Sequence, residues 1–335
     1  MKINMTQWIA DVIARKEVAA MPIMTHPGIE MNGHTVKQAV CDGQVHYEAV
    51  MTLCKRYGDS VAAPTIMDLT TEAESFGAKI AFSDIAVPAV SDRLLHPAED
   101  IYNLQVPSLN SGRIPEYLKA NLLAAKAVTD RPLLAGCIGP FSLAGRLYDM
   151  SEIMVLIYEN PDAAHTLLRK CNDFIMKYCM ALKKTGANGV VMAEPAAGLM
   201  SNDDCLEFSS KYVKEIVDRL QDDYFTVVLH NCGNTGHCTQ AMVATGAAAY
   251  HFGNKCSMAE VIKEVPSTAL ALGNIDPVSV FKDGTVDDMK KTVSHLLDEM
   301  KDYPNFVLSS GCDTPPHTPA ENVDAFFDAQ RAYNG

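Results

Sequence analysis

No stretch of about 18 uninterrupted apolar residues occurs in this 335-residue sequence, so no membrane-spanning helix is expected. An excess of positive charge is also missing: 28 lysines and arginines stand against 41 aspartates and glutamates. The resulting net charge of −13 would repel phosphate backbones, which argues against nucleic acid as a partner. The first residues, MKINMTQWIADVIARKEVAAMPIM, mix charged with apolar side chains and predict an amphipathic helix instead of a signal peptide. The ten cysteines are therefore expected in a reducing, cytoplasmic compartment, which favours metal binding or catalysis over disulfides.

No proline- or serine-rich linker and no block of charge divides the chain, so residues 1–335 are predicted to form a single domain. Short apolar runs alternate with helical patterns throughout. The predicted strands are 20–26, 61–67, 132–138, 189–194, 225–231, 247–253, 268–274 and 305–310. Continuous apolar strands are typical of a parallel sheet covered on its outer face. The pattern predicts an α/β fold, a (β/α)8 TIM barrel with an N-terminal helical extension. A doubly wound open sheet is the alternative, although no GxGxxG follows the first strand.

Several helix ends are marked in the sequence. A long helix is predicted to begin after Asn160, with a proline as its first residue, and to stop at Gly186. Two further helices, in TVDDMKKTVSHLLDEM and TPAENVDAFFDAQRAY, each follow a threonine, Thr285 or Thr318, with an acidic residue in the first turn. This pattern predicts that both threonines cap their helices.

Active sites of TIM barrels lie on the loops that leave the carboxyl ends of the strands. Polar residues at or just after the predicted strand ends are therefore candidates for function. They are His26, Asp68, Glu194, His230, Cys232, His251, Asn254, Asn274, Asp276 and Cys312.

Two soft metal ligands end the run VVLHNCGNTG, and a third follows NFVLSSG. His230 and Cys232 are one residue apart, so in an extended strand their side chains point to the same face. Cys312 lies at the end of the last predicted strand. One imidazole and two thiols with an open fourth position are typical of catalytic zinc, and thiolates favour zinc over magnesium or calcium. The alternative is that buried cysteines cluster here by chance. His237 and Cys238, beyond the turn, are interpreted as structural.

The segments AFSDIAVPA, LALGNIDPV and TPAENVDAFFDA resemble the uroporphyrinogen decarboxylase superfamily of (β/α)8 barrels over most of the chain. LHNCGNT together with SSGCDTPPHTPAENV resembles the HxC…C zinc motif of its corrinoid-dependent methyltransferases, of the methylcobalamin:coenzyme M type. This resemblance implies zinc ligation by His230, Cys232 and Cys312, and a methylated corrinoid or corrinoid protein as methyl donor. Asp84 matches the position of the decarboxylase's central aspartate. The arginine-rich segment that grips porphyrinogen carboxylates is replaced by AAMPIMTHPGIEMNGHT, which contains no arginine.

These features predict a zinc-dependent transfer of a methyl group from a methylated corrinoid to a small acceptor, a thiol such as coenzyme M or homocysteine, or a folate. Glu194 is the candidate acid beside the metal, or else a surface glutamate before a proline turn. His251, Asn274 and Asp276 are predicted to line the substrate pocket, although Asp276 is also placed to cap a helix. Two alternatives stay open: a carbon–carbon lyase that uses Asp84 without metal, and a zinc-bearing barrel that only binds a corrinoid protein or stores metal.

Overall fold

Eight parallel strands curl into a ring in the structure of this chain, a computed structural model that describes residues 2–335. In chain order, the barrel strands are Ala19–Ala20, Ala63–Pro64, Leu133–Ile138, Gly189–Ala193, Thr226–Asn231, Ala249–Phe252, Leu270–Ile275 and Phe306–Ser310. The second to eighth strands pair in chain order, and the first pairs with the eighth. A single parallel bridge, between Ala20 and Ser60, joins the first strand to the segment before the second and closes the ring. The predicted (β/α)8 barrel is confirmed.

Helices surround this ring. The α-helices are Met5–Ala14, His26–Met31, Val36–Cys41, Gly43–Arg56, Thr71–Ser75, Ala98–Asn103, Ile114–Ala127, Pro140–Tyr148, Met150–Glu159, Pro161–Thr185, Asn202–Cys205, Lys211–Leu220, Thr239–Val243, Met258–Val261, Val286–Met300 and Ala320–Asn334. A 3-10 helix spans Pro195–Leu199, and π-helical turns span Leu206–Ser210 and Pro277–Lys282. A short antiparallel hairpin, Ile80–Ala81 with Ala89–Val90, stands apart from the barrel sheet. Within residues 2–335, every helix is too short or too polar to cross a membrane.

Successive side chains of each strand alternate between the barrel interior and the surrounding helices. In the fifth strand Val228 packs inside the ring with Val191 and Val307. Val227 and Leu229 belong to the separate core between the strands and the helices. Both faces of the sheet are therefore dry, which is why the strands are mainly apolar on both faces. A polar residue that shares the interior face of a strand end must therefore lie in the barrel mouth.

The predicted N-terminal helical extension is confirmed and closes the opposite end of the barrel. Helix Met5–Ala14 begins at Asn4, whose side chain accepts a hydrogen bond from a first-turn backbone N–H. Its apolar residues Ile9 and Val12 belong to the core inside the ring. The Met5 backbone N–H donates to a carbonyl just before the fifth strand, at 2.6 Å. The helix thus covers the floor of the barrel, at the end opposite to the carboxyl ends of the strands.

The first two strands are much shorter than the predicted runs 20–26 and 61–67. Pro22 and Pro64 interrupt these segments, and proline has no amide hydrogen to donate to a ladder. His26 consequently does not end a strand and is instead the first residue of a short helix. The other six strands begin and end within two residues of their predicted bounds.

Predicted helix ends are confirmed at two of the three helices. Asn160 caps the long helix with its side chain, and Gly186 ends that helix with φ of 102°, a conformation that favours glycine. Thr285 forms a capping box with the third residue of its helix. The prediction for Thr318 is wrong, because the helix begins one residue later, after Pro319, and the Thr318 hydroxyl donates to an upstream carbonyl.

Candidate metal centre

The barrel mouth brings together the three residues predicted as metal ligands. His230 is the penultimate residue of the fifth strand, Cys232 follows that strand, and Cys312 lies two residues beyond the eighth. Their ligand atoms all lie within 4.8 Å of one another, and the Cys312 Sγ is 3.7 Å from the His230 Nε2. Two zinc–ligand bonds of about 2.3 Å span about 3.8 Å at a tetrahedral angle and at most about 4.6 Å. The spacing therefore suits three ligands of one shared ion.

A tight turn fixes the position of Cys232. The Asn231 side chain accepts hydrogen bonds from the backbone N–H groups of Gly233 and Asn234, both at 3.0 Å, and so ends the strand. Gly253, from the loop after the sixth strand, lies directly against this turn, where a Cβ atom would be 2.6 Å from the Cys232 Cα. A larger residue at position 253 would push Cys232 away from the other ligands.

A hydrogen-bonded relay determines which nitrogen of His230 is free. The Ser309 hydroxyl donates to the Met21 carbonyl at 2.6 Å, so its oxygen accepts from the His251 Nε2, 2.8 Å away. With its hydrogen on Nε2, neutral His251 can only accept at Nδ1. The His230 Nδ1, at 2.7 Å, must therefore be the donor. The His230 Nε2 is left with a lone pair, the form that binds a metal.

The surroundings hold both imidazoles in place and keep that of His251 neutral. His230 and His251 are fully buried. Burial, with a smaller contribution from the neighbouring His230, lowers the pKa of His251 well below its usual range. A metal-binding histidine commonly uses its second ring nitrogen for a hydrogen bond that orients the ring. His251 and Ser309 provide that support here, and both ring nitrogens of His251 are occupied by it.

The two thiols of the centre are unequal. A hydrogen bond between the two side chains lowers the pKa of Cys232, against the opposing effect of burial. The same contact, with burial, raises the pKa of Cys312. Cys232 is therefore the first of the two to form a thiolate, and the thiolate is the form that binds a metal.

Glu194 follows the fourth strand, and its carboxylate points to a helix terminus. Its Oε1 accepts from the Phe141 backbone N–H at 2.6 Å and from the Ser209 hydroxyl at 3.0 Å, and its Oε2 accepts from the Ser142 backbone N–H at 3.2 Å. Burial raises the pKa of Glu194 to about 7 in spite of these donors. The carboxylate thus caps the helix that follows the third strand. Its role as an acid beside the metal stays a prediction.

Asn274 and Asp276 hold the loops of the mouth. The Asn274 side-chain amide donates to the carbonyls of Gly253 and Cys256, at 2.9 and 2.8 Å. Asp276 accepts from two backbone amides of the π-helix that follows it and from the Asn254 side chain. The capping role that the sequence left open for Asp276 is therefore observed. Substrate contacts by either residue stay a prediction.

Asp84 lies exposed between the strands of the hairpin. Its backbone carbonyl accepts from the Val36 N–H, while apolar neighbours, Phe82, Ile85 and Val87, are also exposed. The carboxyl is therefore neither buried nor held by an ion pair. A catalytic role for Asp84 stays a prediction.

Asp68 and Ser309 make contacts that the sequence pattern does not predict. Asp68 belongs to a buried ion pair with Arg113, which also binds Glu74 at 2.6 Å. Ser309 is not among the predicted site residues, although the two serines that end the otherwise apolar strand FVLSS are a signal of a polar contact inside the barrel. His237 and Cys238 both contact the Met200 carbonyl, at 2.9 and 3.2 Å, in keeping with a structural role.

A (β/α)8 barrel that gathers one imidazole and two thiols at its mouth is the architecture of an enzyme, with side chains that could hold a soft metal at the strand ends. Comparison with known proteins gives the family. The family described as Uroporphyrinogen decarboxylase (URO-D) matches residues 8–333, and the chain belongs to that family.

Relatives within this family separate into two activities. Methylcobamide:CoM methyltransferase MtbA of Methanosarcina mazei is 30% identical over 270 residues, which cover 79% of this chain and 78% of the relative. A uroporphyrinogen decarboxylase of Legionella pneumophila is 25% identical over 275 residues, covering 80% of this chain and 77% of that protein. A solved structure described as a methyltransferase from Methanosarcina mazei has a TM-score of 0.88 at 22% identity, covers all of both chains and supports the fold. With its 30% identity to a methyltransferase, the chain is an enzyme of the methyltransferase type.

Proposed function

We propose that the chain is a zinc-dependent methyltransferase. It moves a methyl group from a methylated corrinoid, free or carried by a corrinoid protein, to a small acceptor, a thiol such as coenzyme M. The observation that carries this proposal is the convergence of His230, Cys232 and Cys312 within 4.8 Å at the barrel mouth. The name of the 30% identical relative, a methylcobamide:CoM methyltransferase, supports the donor and the acceptor.

The donor set fits zinc. Two thiols and one imidazole are soft or borderline ligands, and three protein ligands leave a fourth position for a substrate. When bound, zinc would act as a Lewis acid that lowers the pKa of an acceptor thiol and keeps its sulfur nucleophilic at neutral pH. The thiolates of Cys232 and Cys312 would balance the two charges of the ion.

The remaining residues of the mouth orient this centre. His251 and Ser309 hold His230 with its Nε2 lone pair towards Cys312. His230 is fully buried, whereas both cysteines are only partly buried. The imidazole is therefore shielded from water, and a substrate approaching the mouth reaches the side of the centre formed by the thiols.

A corrinoid or its carrier protein would require apolar surface next to the mouth. The hairpin after the second strand exposes Phe82, Ile85 and Val87, by 36, 62 and 47%. Phe82 contacts Arg113, which is paired with Asp68 after the second strand, so the hairpin adjoins the carboxyl end of the barrel. Grouped apolar side chains on a surface are typical of interaction sites.

Turnover of methylcobalamin tests the proposal. Zinc-loaded protein should demethylate methylcobalamin in the presence of an acceptor thiol, which absorbance would show, and mass spectrometry should find the methylated thiol. Cys312→Ala should abolish turnover while the barrel stays folded. Cys54→Ala, a change of a partly buried cysteine on helix Gly43–Arg56, is the matched control and should remain active.

The contrary result separates the two branches of the family. Zinc-loaded protein that leaves methylcobalamin intact with every thiol and folate tried, yet decarboxylates uroporphyrinogen, would replace the proposal with the carbon–carbon lyase. Loss of that lyase activity in Asp84→Asn would then identify its central carboxylate.

A further inference from the structure

Arg146 is a partly buried arginine that has no side-chain partner among the residues that the structure describes. It lies on the helix that follows the third strand, and within residues 2–335 no acceptor meets its guanidinium in a hydrogen bond or ion pair. The other arginines in buried surroundings are paired. Arg113 binds Asp68, and Arg131 binds Asp130. Arg146 is the exception.

Burial without a countercharge is unfavourable for a guanidinium. Burial lowers the pKa of Arg146, and the attraction of Asp68 opposes that effect only in part. Arginine stays protonated in proteins, so its charge cannot be removed to relieve the cost. Buried charges are normally paired. A bound anion would supply the missing partner.

Arg146 lines a cleft with room for a ligand. Its volume is about 400 Å³, and it lies between the segment 90–93 and the residues from 145 to 150. Arg93 lies on the wall opposite Arg146, and Val90 and Met150 contribute apolar surface. Ser91 adds a hydroxyl. Arg93 therefore adds a second positive charge to the cleft, and the volume of the cleft is larger than a bare inorganic ion needs.

The acidic groups around the cleft do not neutralise Arg146. Asp149 directs its carboxylate to the backbone amides of the next helix, at 2.8 and 3.3 Å. Glu152 lies 3.6 Å from Arg93, whose Nε also contacts the His96 ring. Asp92 is exposed on the rim. Arg93 is thus shared with solvent-facing partners, and Arg146 is left free for a ligand.

We propose that this cleft binds a small organic anion, a sulfonate or a carboxylate on a short carbon chain, held by the guanidinium of Arg146 with Arg93 on the facing wall. The planar guanidinium matches the paired oxygens of such groups, and the apolar walls accommodate the carbon chain. None of the three residues proposed as metal ligands lines this cleft. The inference therefore goes beyond the proposed methyl transfer and does not depend on it.

Calorimetric titration with ethanesulfonate tests this site without zinc or a corrinoid. At constant ionic strength the protein should bind ethanesulfonate saturably and more tightly than inorganic sulfate, and should not bind ethanol. Arg146→Gln should weaken binding at least about tenfold, which corresponds to about 1.4 kcal/mol. Arg219→Gln, the same change at an exposed arginine on helix Lys211–Leu220, is the control and should leave binding unchanged.

Two further variants separate recognition from folding. Arg146→Lys keeps the charge but removes the planar fork, and should give an intermediate loss. Arg93→Gln should also weaken binding, so the site remains testable if Arg146→Gln does not fold. The proposal is overturned if ethanesulfonate does not bind saturably, or if inorganic sulfate binds equally well. It is also overturned if Arg146→Gln and Arg93→Gln both bind ethanesulfonate as tightly as the wild type does.

Discussion

Replacing His251 by leucine should weaken zinc binding although no ligand is removed. In the wild type the His251 Nδ1 accepts the hydrogen of the His230 Nδ1, which leaves the Nε2 lone pair towards Cys312. Leucine offers no acceptor. The His230 ring then either buries an unpaired Nδ1–H or moves its hydrogen to Nε2, the nitrogen that the metal requires.

The expected loss can be estimated from these two outcomes. An unpaired buried donor costs about 1–3 kcal/mol. Loss of a hydrogen bond behind a metal ligand typically lowers metal affinity about 10- to 100-fold. That range equals about 1.4 to 2.7 kcal/mol, so both routes give the same magnitude. Ser309→Ala, one step farther along the relay, should have a smaller effect in the same direction.

Competition with a chelator of known affinity, at fixed pH, measures the zinc dissociation constant. The matched control is His46→Leu, because His46 is also buried and accepts one hydrogen bond, from the Ile66 N–H at 3.1 Å. That variant should lose stability and keep its zinc affinity. A folded His251→Leu protein that binds zinc as tightly as the wild type would refute the relay.

Three other changes address the centre and its surroundings. Cys232→Ser or Cys312→Ser should lose most of about one zinc per chain in elemental analysis, since three ligands cannot spare one, and full zinc in the double variant would exclude this ligand set. Burial raises the pKa of Glu72 from 4.5 to about 7, so its contribution to the free energy of unfolding is greatest below pH 4.5 and falls as the pH rises through 7, by at most about 3 kcal/mol. Glu72→Gln should flatten that fall in urea unfolding between pH 5 and 8, and an unchanged slope would contradict it. Asp276→Ala should cost about 1 kcal/mol of stability by removing a cap, whereas a raised KM for the acceptor at unchanged stability would instead indicate substrate binding.

The sequence predicts the barrel best where strands are buried on both faces. The runs at 189–194 and 225–231 are mainly apolar, and both form strands close to those bounds. An apolar run of this kind indicates that both faces of the strand are buried. The lengths of the first two strands are not predicted by apolar runs. Pro22 and Pro64 interrupt the hydrogen-bond ladder there, while the surrounding residues remain apolar. Their lengths depend on which amide hydrogens the neighbouring strands can use, which a hydropathy pattern does not contain.

For the candidate site, too, the sequence predicts some features and not others. The spacing of His230 and Cys232 and the position of Cys312 at another strand end were sufficient to predict the convergence of the three. The support from His251 and Ser309 was not predictable, because it depends on the register of strands that are distant in sequence. Glu194 shows the limit most clearly. Its position at a strand end was predicted, but only the structure shows that its carboxylate caps a helix.

The hydrogen bonds behind His230 could run in either of two directions, and a carbonyl next to the first strand of the barrel selects one of them. The Met21 carbonyl, directly after that two-residue strand, takes the hydrogen of the Ser309 hydroxyl. Without this carbonyl the hydroxyl could donate to His251 instead, and the hydrogens on both imidazoles would reverse. The His230 Nε2 would then carry a hydrogen and lose its lone pair. The direction of a hydrogen-bonded chain that ends at the proposed metal ligand is thus set on the far side of the ring, by one peptide group near the start of the chain.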